Sequence, residues 1–241
     1  MAIAAGVRRR RWPRATAAAC SAARRAMRGA RPSDSLSADG RRPLRRARTA
    51  FDPGCQLAGI THGHPAGQHA AGALAALIVR VLQGASLLAA VDEARGILRT
   101  CDGHEETLAA IGLAVRLAGV SGTSDGHRRQ LGQGWVAEEA LASALYCALR
   151  SDRFAEGVTL AVNLTGDSDS TGAIAGDPLG AMHAMEAIPR RWLEPLDLRD
   201  VITAAADDLL GWPQWPVGGD PPDDPRGLRD RAHWIDRYPG D

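Results

Sequence analysis

Within the stretch AVNLTGDSDSTGAIAGDPLG at 161–180, two carboxylates and three hydroxyls stand side by side, at Asp167, Ser168, Asp169, Ser170 and Thr171. Carboxylates two residues apart in a turn can aim at one point, and neutral hydroxyl oxygens beside them complete a donor set suited to a hard cation. A second polar cluster lies at Thr61, His62 and His64, with His69 close behind. In an extended segment His62 and His64 would face the same side, where two imidazoles could hold a transition metal or one could hydrogen-bond a sugar or phosphate. No Cys or acid stands at zinc-like spacing around them, so the sugar reading ranks above zinc.

Plainer explanations compete. An Asp-x-Asp pair ahead of a helix is commonly a capping turn, and a single His at a helix entrance is commonly a cap or a satisfied core residue. A calcium loop would place Asp167, Asp169 and Gly172 at its positions 1, 3 and 6, but its position 12, where a bidentate Glu is required, is Pro178. That loop is excluded.

The elements that must position these residues read as helices. Pro65 fits a first helical turn. From Gln68 to Gln83, Leu74, Leu77, Ile78, Val81 and Leu82 form a buried stripe, with Gly84 as the stop. Ser86 caps a second helix carrying Leu87, Leu88, Val91, Ala94 and Leu98. Glu105–Leu117 repeats the pattern, and Ser121–Gly134 has the composition of a surface loop. Val136–Leu149 and Phe154–Val162 are further helices, the second delivering the chain to the aspartates. Beyond them Gly172, Gly176 and Gly180, four apart, predict a helix with one bare face open to close backbone approach, ending near Ala187. A last amphipathic helix opens at Asp197 and Asp200 and stops at Gly211. No alternation of period two persists, and no 20–50 residue repeat is present. The predicted class is all-α.

Composition bounds the rest. The chain has 241 residues with 45% hydrophobic and 4% aromatic content, and its 29 basic residues are all Arg. Charge is split: residues 1–50 carry a net +12 and residues 51–241 a net −11. The first 55 residues read as an Arg-rich leader without fixed structure, ahead of order beginning near Gln56. A basic arm for nucleic acid or a transit peptide is the lesser reading, so no nucleic-acid partner is expected. Residues 56–212 form the predicted helical domain and 213–241 an irregular tail. Cys20, Cys55, Cys101 and Cys147 show no paired spacing, which argues against a disulfide framework or a zinc site. The longest apolar run, Ala70–Leu82, falls short of the roughly 20 residues that a membrane span needs. A soluble, cytoplasmic protein with no membrane partner is expected.

THGHP at 61–65, GWVAEEALASALYCAL at 134–149, AVNLTGDSDSTGAIAG at 161–176 and IPRRW at 188–192 resemble the ADP-ribosylglycohydrolase family in order and spacing, from about Gln56 to Trp212. The resemblance implies a multi-helix orthogonal bundle and a central cleft with two Mg²⁺ or Mn²⁺ ions. It also implies hydrolysis of the bond between ADP-ribose and a protein side chain or small acceptor. Carried over by motif, Asp167, Asp169 and Ser170 would be metal ligands and His62 would contact the ADP-ribose.

Family members also carry, in their first third, a glycine segment and a hydroxyl-Asp-Asp motif that supply the remaining ligands. Residues 1–50 contain no Asp pair, and DPGC at 52–55 runs almost directly into THGHP. No catalytic acid is identified, one ion rather than two is expected, and the chain reads as an N-terminally incomplete copy with impaired hydrolysis. The alternative is an inactive helical module that binds ADP-ribose or a nucleotide.

Overall fold

The computed structural model of the chain describes residues 41–122, 124–163 and 166–211. Within them it is all-α: α1 Arg41–Gly59, α2 Pro65–Leu82, α3 Leu87–Leu98, α4 Glu105–Ala118, α5 Ser124–Leu131, α6 Ala137–Leu149, α7 Phe154–Val162, α8 Ser168–His183, a 3₁₀ turn Met185–Ala187, α9 Arg190–Leu193 and α10 Arg199–Gly211. The described residues contain no strand. Two compact units, Met1–Leu196 and Asp197–Asp241, divide the chain, and α10 is the described helix of the second. The readings of the first forty residues and of the tail beyond Gly211 fall outside the described residues.

Helix α2 is the axis of the first unit. The sequence predicts one buried stripe, yet α2 is buried nearly all round, from Ala66 to Val79. Its alanines at 66, 70, 71, 73, 75 and 76 leave little side-chain bulk, so α1, α3, α4, α6 and α8 can all pack on it. Leu74, Leu77 and Ile78 fill the spaces between, each worth about 1.5–3 kcal/mol of burial. Leu82, expected on the stripe, is exposed, as is Leu88 in α3. Pro65 takes the first helical position as predicted. Gly84, at φ +89°, closes the helix: Ala85 N–H donates to Arg80 O over 3.0 Å and Gly84 N–H to Val81 O over 2.9 Å. Ser86 then caps α3 by accepting from Ala89 N–H at 3.3 Å. Arg80, which interrupts the apolar run, forms a bidentate pair with Glu93 of α3.

Helical order is already present at Arg41, well before the expected Gln56. Ala47, Ala50, Phe51, Gly54 and Ala58 recur at helical spacing and are buried, so α1 has a small-residue face that fits α2. A Cβ on Gly54 would lie 3.0 Å from Gly72 Cα, and one on Gly72 would lie 2.5 Å from Cys55 Sγ. The outer face hid this pattern, because it carries Arg46, Arg48 and Asp52, with Arg48 bonded to Asp52 at 2.9 Å.

Two further expectations are corrected. Ser121–Gly134 is not all loop: α5 forms because His127 and Leu131, four apart, are both buried, and His127 Nδ1 meets the Tyr146 hydroxyl at 3.2 Å. Helix α8 ends at His183, where Ala184 turns to φ +59°, short of Ala187. Its three glycines are not one tight face. A Cβ on Gly172 would lie 2.5 Å from Val162 Cγ1, whereas Gly176 faces open space and Gly180 only an ordinary contact with Phe154.

Candidate functional site

The two polar clusters singled out in the sequence meet at one cleft. Its walls are Ala70, Ala71 and Leu74 of α2, Ala137, Ala140 and Leu141 of α6, and Ile174 of α8. Its polar lining is His62, Asp167 and Ser170, and Trp135 stands at the edge. The cleft is open to solvent on one side, and about 580 Å³ of empty space, its open mouth included, lies within it. Mostly apolar walls with a few convergent polar groups orient a ligand without competing for it.

His62 lies in the α1–α2 link. Thr61 N–H and His62 N–H both donate to Ala58 O, at 3.0 and 2.8 Å, and Gln68 Nε2 donates to His62 O at 3.0 Å, so the backbone is pinned from both sides. The Thr61 hydroxyl lies 2.9 Å from His62 Nδ1 and 3.4 Å from Ala58 O, so Nδ1 is engaged within the link and Nε2 is the ring nitrogen that can meet a ligand. His64 is separate in role. Its Nδ1 accepts from Ala66 N–H at 3.3 Å as the α2 cap, and it faces Glu106 at 3.7 Å. His69 is buried under Phe51 with its Nδ1 3.2 Å from Gly103 O, and burial holds its pKa below the ordinary value. The two-imidazole metal reading therefore gains no support: of Thr61, His62, His64 and His69, the cleft takes His62 alone.

Asp167 occupies the N-cap position of α8, yet its side chain makes no capping hydrogen bond. Asp167 lines the cleft, and without a cap bond the plainest explanation for an aspartate there is removed. Thr171 does not replace the cap, since its hydroxyl donates back to Asp167 O at 2.8 Å. Ser170 is buried and also lines the cleft. Asp169 does not line the cleft. The helix already begins at Ser168, and on a helix residues two apart point to different sides whereas residues three apart share one. Asp167 and Ser170 thus face inward together.

Neither the Asp167 carboxylate nor the Ser170 hydroxyl has a protein hydrogen-bond partner among the described residues. Oxygen donors left open in this way fit part of the shell of a hard divalent cation. No group of three or more His, Cys, Asp or Glu gathers among the described residues, so water or ligand oxygens would fill the remainder.

Two residues of this neighbourhood carried no signal as isolated sequence letters. Trp135 is 67% exposed at the cleft edge, its Nε1 donating to Gln133 Oε1 at 3.0 Å. Glu139, in the first turn of α6, accepts from Gln133 N–H and Gly134 N–H at 3.0 and 3.1 Å. Both lie in GWVAEEAL, whose letters show a motif but not a loop folded against the α8 start.

Among the described residues the architecture is all-α, with a cleft where the α1–α2 link and the starts of α6 and α8 converge. A model of the ADP-ribosylglycohydrolase family matches residues 2–216, and the chain belongs to that family. The match begins far upstream of Gln56, where the recognisable motifs start, and takes in the arginine-rich stretch.

Among curated proteins, the chain is similar to the ADP-ribosylarginine hydrolase Tri1 of Serratia proteamaculans (strain 568), 32% identical over 72 residues, which is 30% of this chain and 20% of that protein. It is also similar to the ADP-ribosylarginine hydrolase Tri1 of Pseudomonas putida (strain GB-1), 30% identical over 83 residues, 34% of this chain and 22% of that protein. The matched stretches thus span only about a fifth of those relatives. A chain of a solved ADP-ribosylglycohydrolase-related protein complex superimposes with a TM-score of 0.53 at 29% identity, covering 69% of this chain and 58% of that one. No described helix is long and apolar enough to cross a membrane.

Proposed function

We propose that the cleft takes the ADP-ribose portion of an ADP-ribosylated side chain or small compound and that the chain hydrolyses its glycosidic bond slowly. The observation that carries this reading is the convergence of His62 with Asp167 and Ser170 in one apolar-walled cleft. Family membership supports the ligand class, and the names of the Tri1 relatives favour arginine as the acceptor.

His62 Nε2 accepts a hydrogen bond from a ribose hydroxyl and orients the sugar. Trp135, broad and exposed at the edge, offers a face on which the adenine stacks, worth about 1–3 kcal/mol. The α8 N-terminus, with its positive dipole end, favours the negative charge brought by the diphosphate. Asp167 and Ser170 would hold Mg²⁺ or Mn²⁺, and Asp169, off the cleft in the first turn of α8, would add negative potential. The ion supplies Lewis acidity toward oxygen when bound. Water attacks the anomeric carbon as the bond to the acceptor breaks, the acceptor leaves with the proton that the water gives up, and the negative potential of Asp167 and Asp169 favours the positive charge that develops on the sugar.

Slow turnover follows from the carboxylate count. Glycosidic cleavage draws on a pair of carboxyl groups, and among the described residues Asp167 is the one acid that lines the cleft. The same observation favours a second reading, an ADP-ribose-binding module without turnover.

Calorimetry with ADP-ribose, with and without Mg²⁺ or Mn²⁺, together with ADP-ribose release from ADP-ribosylarginine, separates these. Metal-dependent affinity with slow release, both lost in Asp167→Ala, supports the hydrolase. Affinity with no release supports the module, and no ADP-ribose affinity with or without metal defeats both.

A further inference from the structure

Glu139 does not line the cleft, yet three left-handed glycines and three hydrogen bonds are arranged around it. Its Oε2 accepts from both Gln133 N–H, at 3.0 Å, and Gly134 N–H, at 3.1 Å. The Gln133 carbonyl in turn accepts from Asp167 N–H at 2.9 Å. One residue's backbone therefore links the first turn of α6 to the residue that opens α8, through its N–H on one side and its C=O on the other.

The glycines make room for this linkage. Gly132, at φ +92°, allows the carboxylate in, since a Cβ there would lie 2.2 Å from Glu139 Cδ. Gly166, at φ +111°, allows Gln133 O in, since its Cβ would lie 2.0 Å from that oxygen. Gly134, at φ +77°, backs onto Thr171, where a Cβ would lie 3.1 Å from Oγ1. Such positions tolerate only glycine without strain. The Val136 cap of α6 has no side-chain hydrogen bond, so the reach of Glu139 upstream is what orders the 132–135 loop.

We infer that Glu139 is a positioning residue: it locks the Gln133–Gly134 backbone, and through Gln133 O it sets where the Asp167 carboxylate stands in the cleft. Its ligand consequence rests on the ADP-ribose reading of that cleft, but the placement of Asp167 does not.

Because both bonds use a single carboxylate oxygen, an amide oxygen can replace it, whereas a shortened or absent side chain cannot. The test compares Glu139→Gln, Glu139→Asp and Glu139→Ala in the full chain by hydrogen exchange at the Asp167 amide, with the Tyr146 amide as an internal reference. In Glu139→Ala and Glu139→Asp, protection at Asp167 falls by about tenfold or more relative to Tyr146, as expected on losing charge-assisted bonds to the loop. Glu139→Gln restores it.

A second arm measures Mn²⁺ with ADP-ribose by calorimetry: affinity falls by about tenfold or more in the Ala and Asp variants and stays within about threefold of wild type in Glu139→Gln. Unchanged Asp167 protection in the Ala and Asp variants overturns the inference, as does equal loss in all three. A wild type that binds no ADP-ribose defeats the functional reading alone, since the exchange arm still decides the role of Glu139. If Glu139→Ala fails to fold, Glu139→Asp against Glu139→Gln decides the same question.

Discussion

Asp167 hands its backbone N–H to Gln133 O across 2.9 Å while leaving its carboxylate out of the helix cap. The backbone is used for structure and the side chain is spared. A residue divided in this way has a specific mutational signature.

Asp167→Ala is expected to leave the thermal midpoint nearly unchanged, because no cap is lost, where a working aspartate cap would cost about 0.5–2 kcal/mol. The same variant is expected to abolish metal-dependent ADP-ribose binding. Asp169→Ala, beside the cleft but not lining it, is expected to weaken that binding by less than about tenfold, the scale of a screened nearby charge. Calorimetry and a melting curve on each variant check both, and a large stability loss in Asp167→Ala would restore the capping explanation.

His62 and His64 are two apart in sequence and opposite in expected effect. His62→Ala is expected to lower ADP-ribose affinity by about tenfold, the value of one lost hydrogen bond to the ligand, with little change in stability. His64→Ala removes the α2 cap and is expected to cost about 0.5–1 kcal/mol in urea unfolding while sparing affinity. Equal effects on binding would return both imidazoles to one site.

Gly72→Ala pushes a methyl group into Cys55 Sγ and to 2.9 Å from Phe51 O at the α1–α2 crossing. Backbone cannot swing aside as a long side chain can, so destabilisation of about 1–3 kcal/mol is expected in denaturant titration. Gly176→Ala meets nothing within 4 Å and is expected to stabilise α8 by up to about 1 kcal/mol.

Burial of His69 lowers its folded-state pKa from the usual 6.5. The unfolded chain then binds the proton more readily than the folded one, so stability present above pH 6.5 is lost as pH falls through the lowered folded value. Thermal melts from about pH 7.5 down to about pH 5 are expected to show a falling midpoint, with a shallower slope in His69→Asn. An unchanged slope would assign the acid sensitivity elsewhere.

Five helices were legible to within a few residues, because α2, α3, α4, α6 and α7 bury apolar side chains at helical spacing and are punctuated by Pro65, Gly84 and Ser86. Helix α1 was hidden by its arginines and by Pro53, since its inner face is built from alanine and glycine, residues that signal fit to a neighbour rather than hydrophobicity. Helix α5 depends on His127 finding Tyr146, a contact nineteen residues away that no local pattern carries.

At the site, the residue types at 62, 167 and 170 were legible, and their convergence was implied by the family resemblance although no local pattern carries it. Whether Asp169 or Ser170 joins Asp167 inside is decided by where the helix phase begins, one residue after Asp167. Glu139 looks like any acid in a first turn until the loop before it folds back.

The crossing at Gly54 and Gly72 also bears on how the chain can be handled in the laboratory. A shorter version started after Gly59, where the recognisable motifs begin, would peel α1 away and leave a trough of alanine and glycine along the central helix facing water. Such a fragment would be sticky, and expression designs are better served by starting upstream of Arg41.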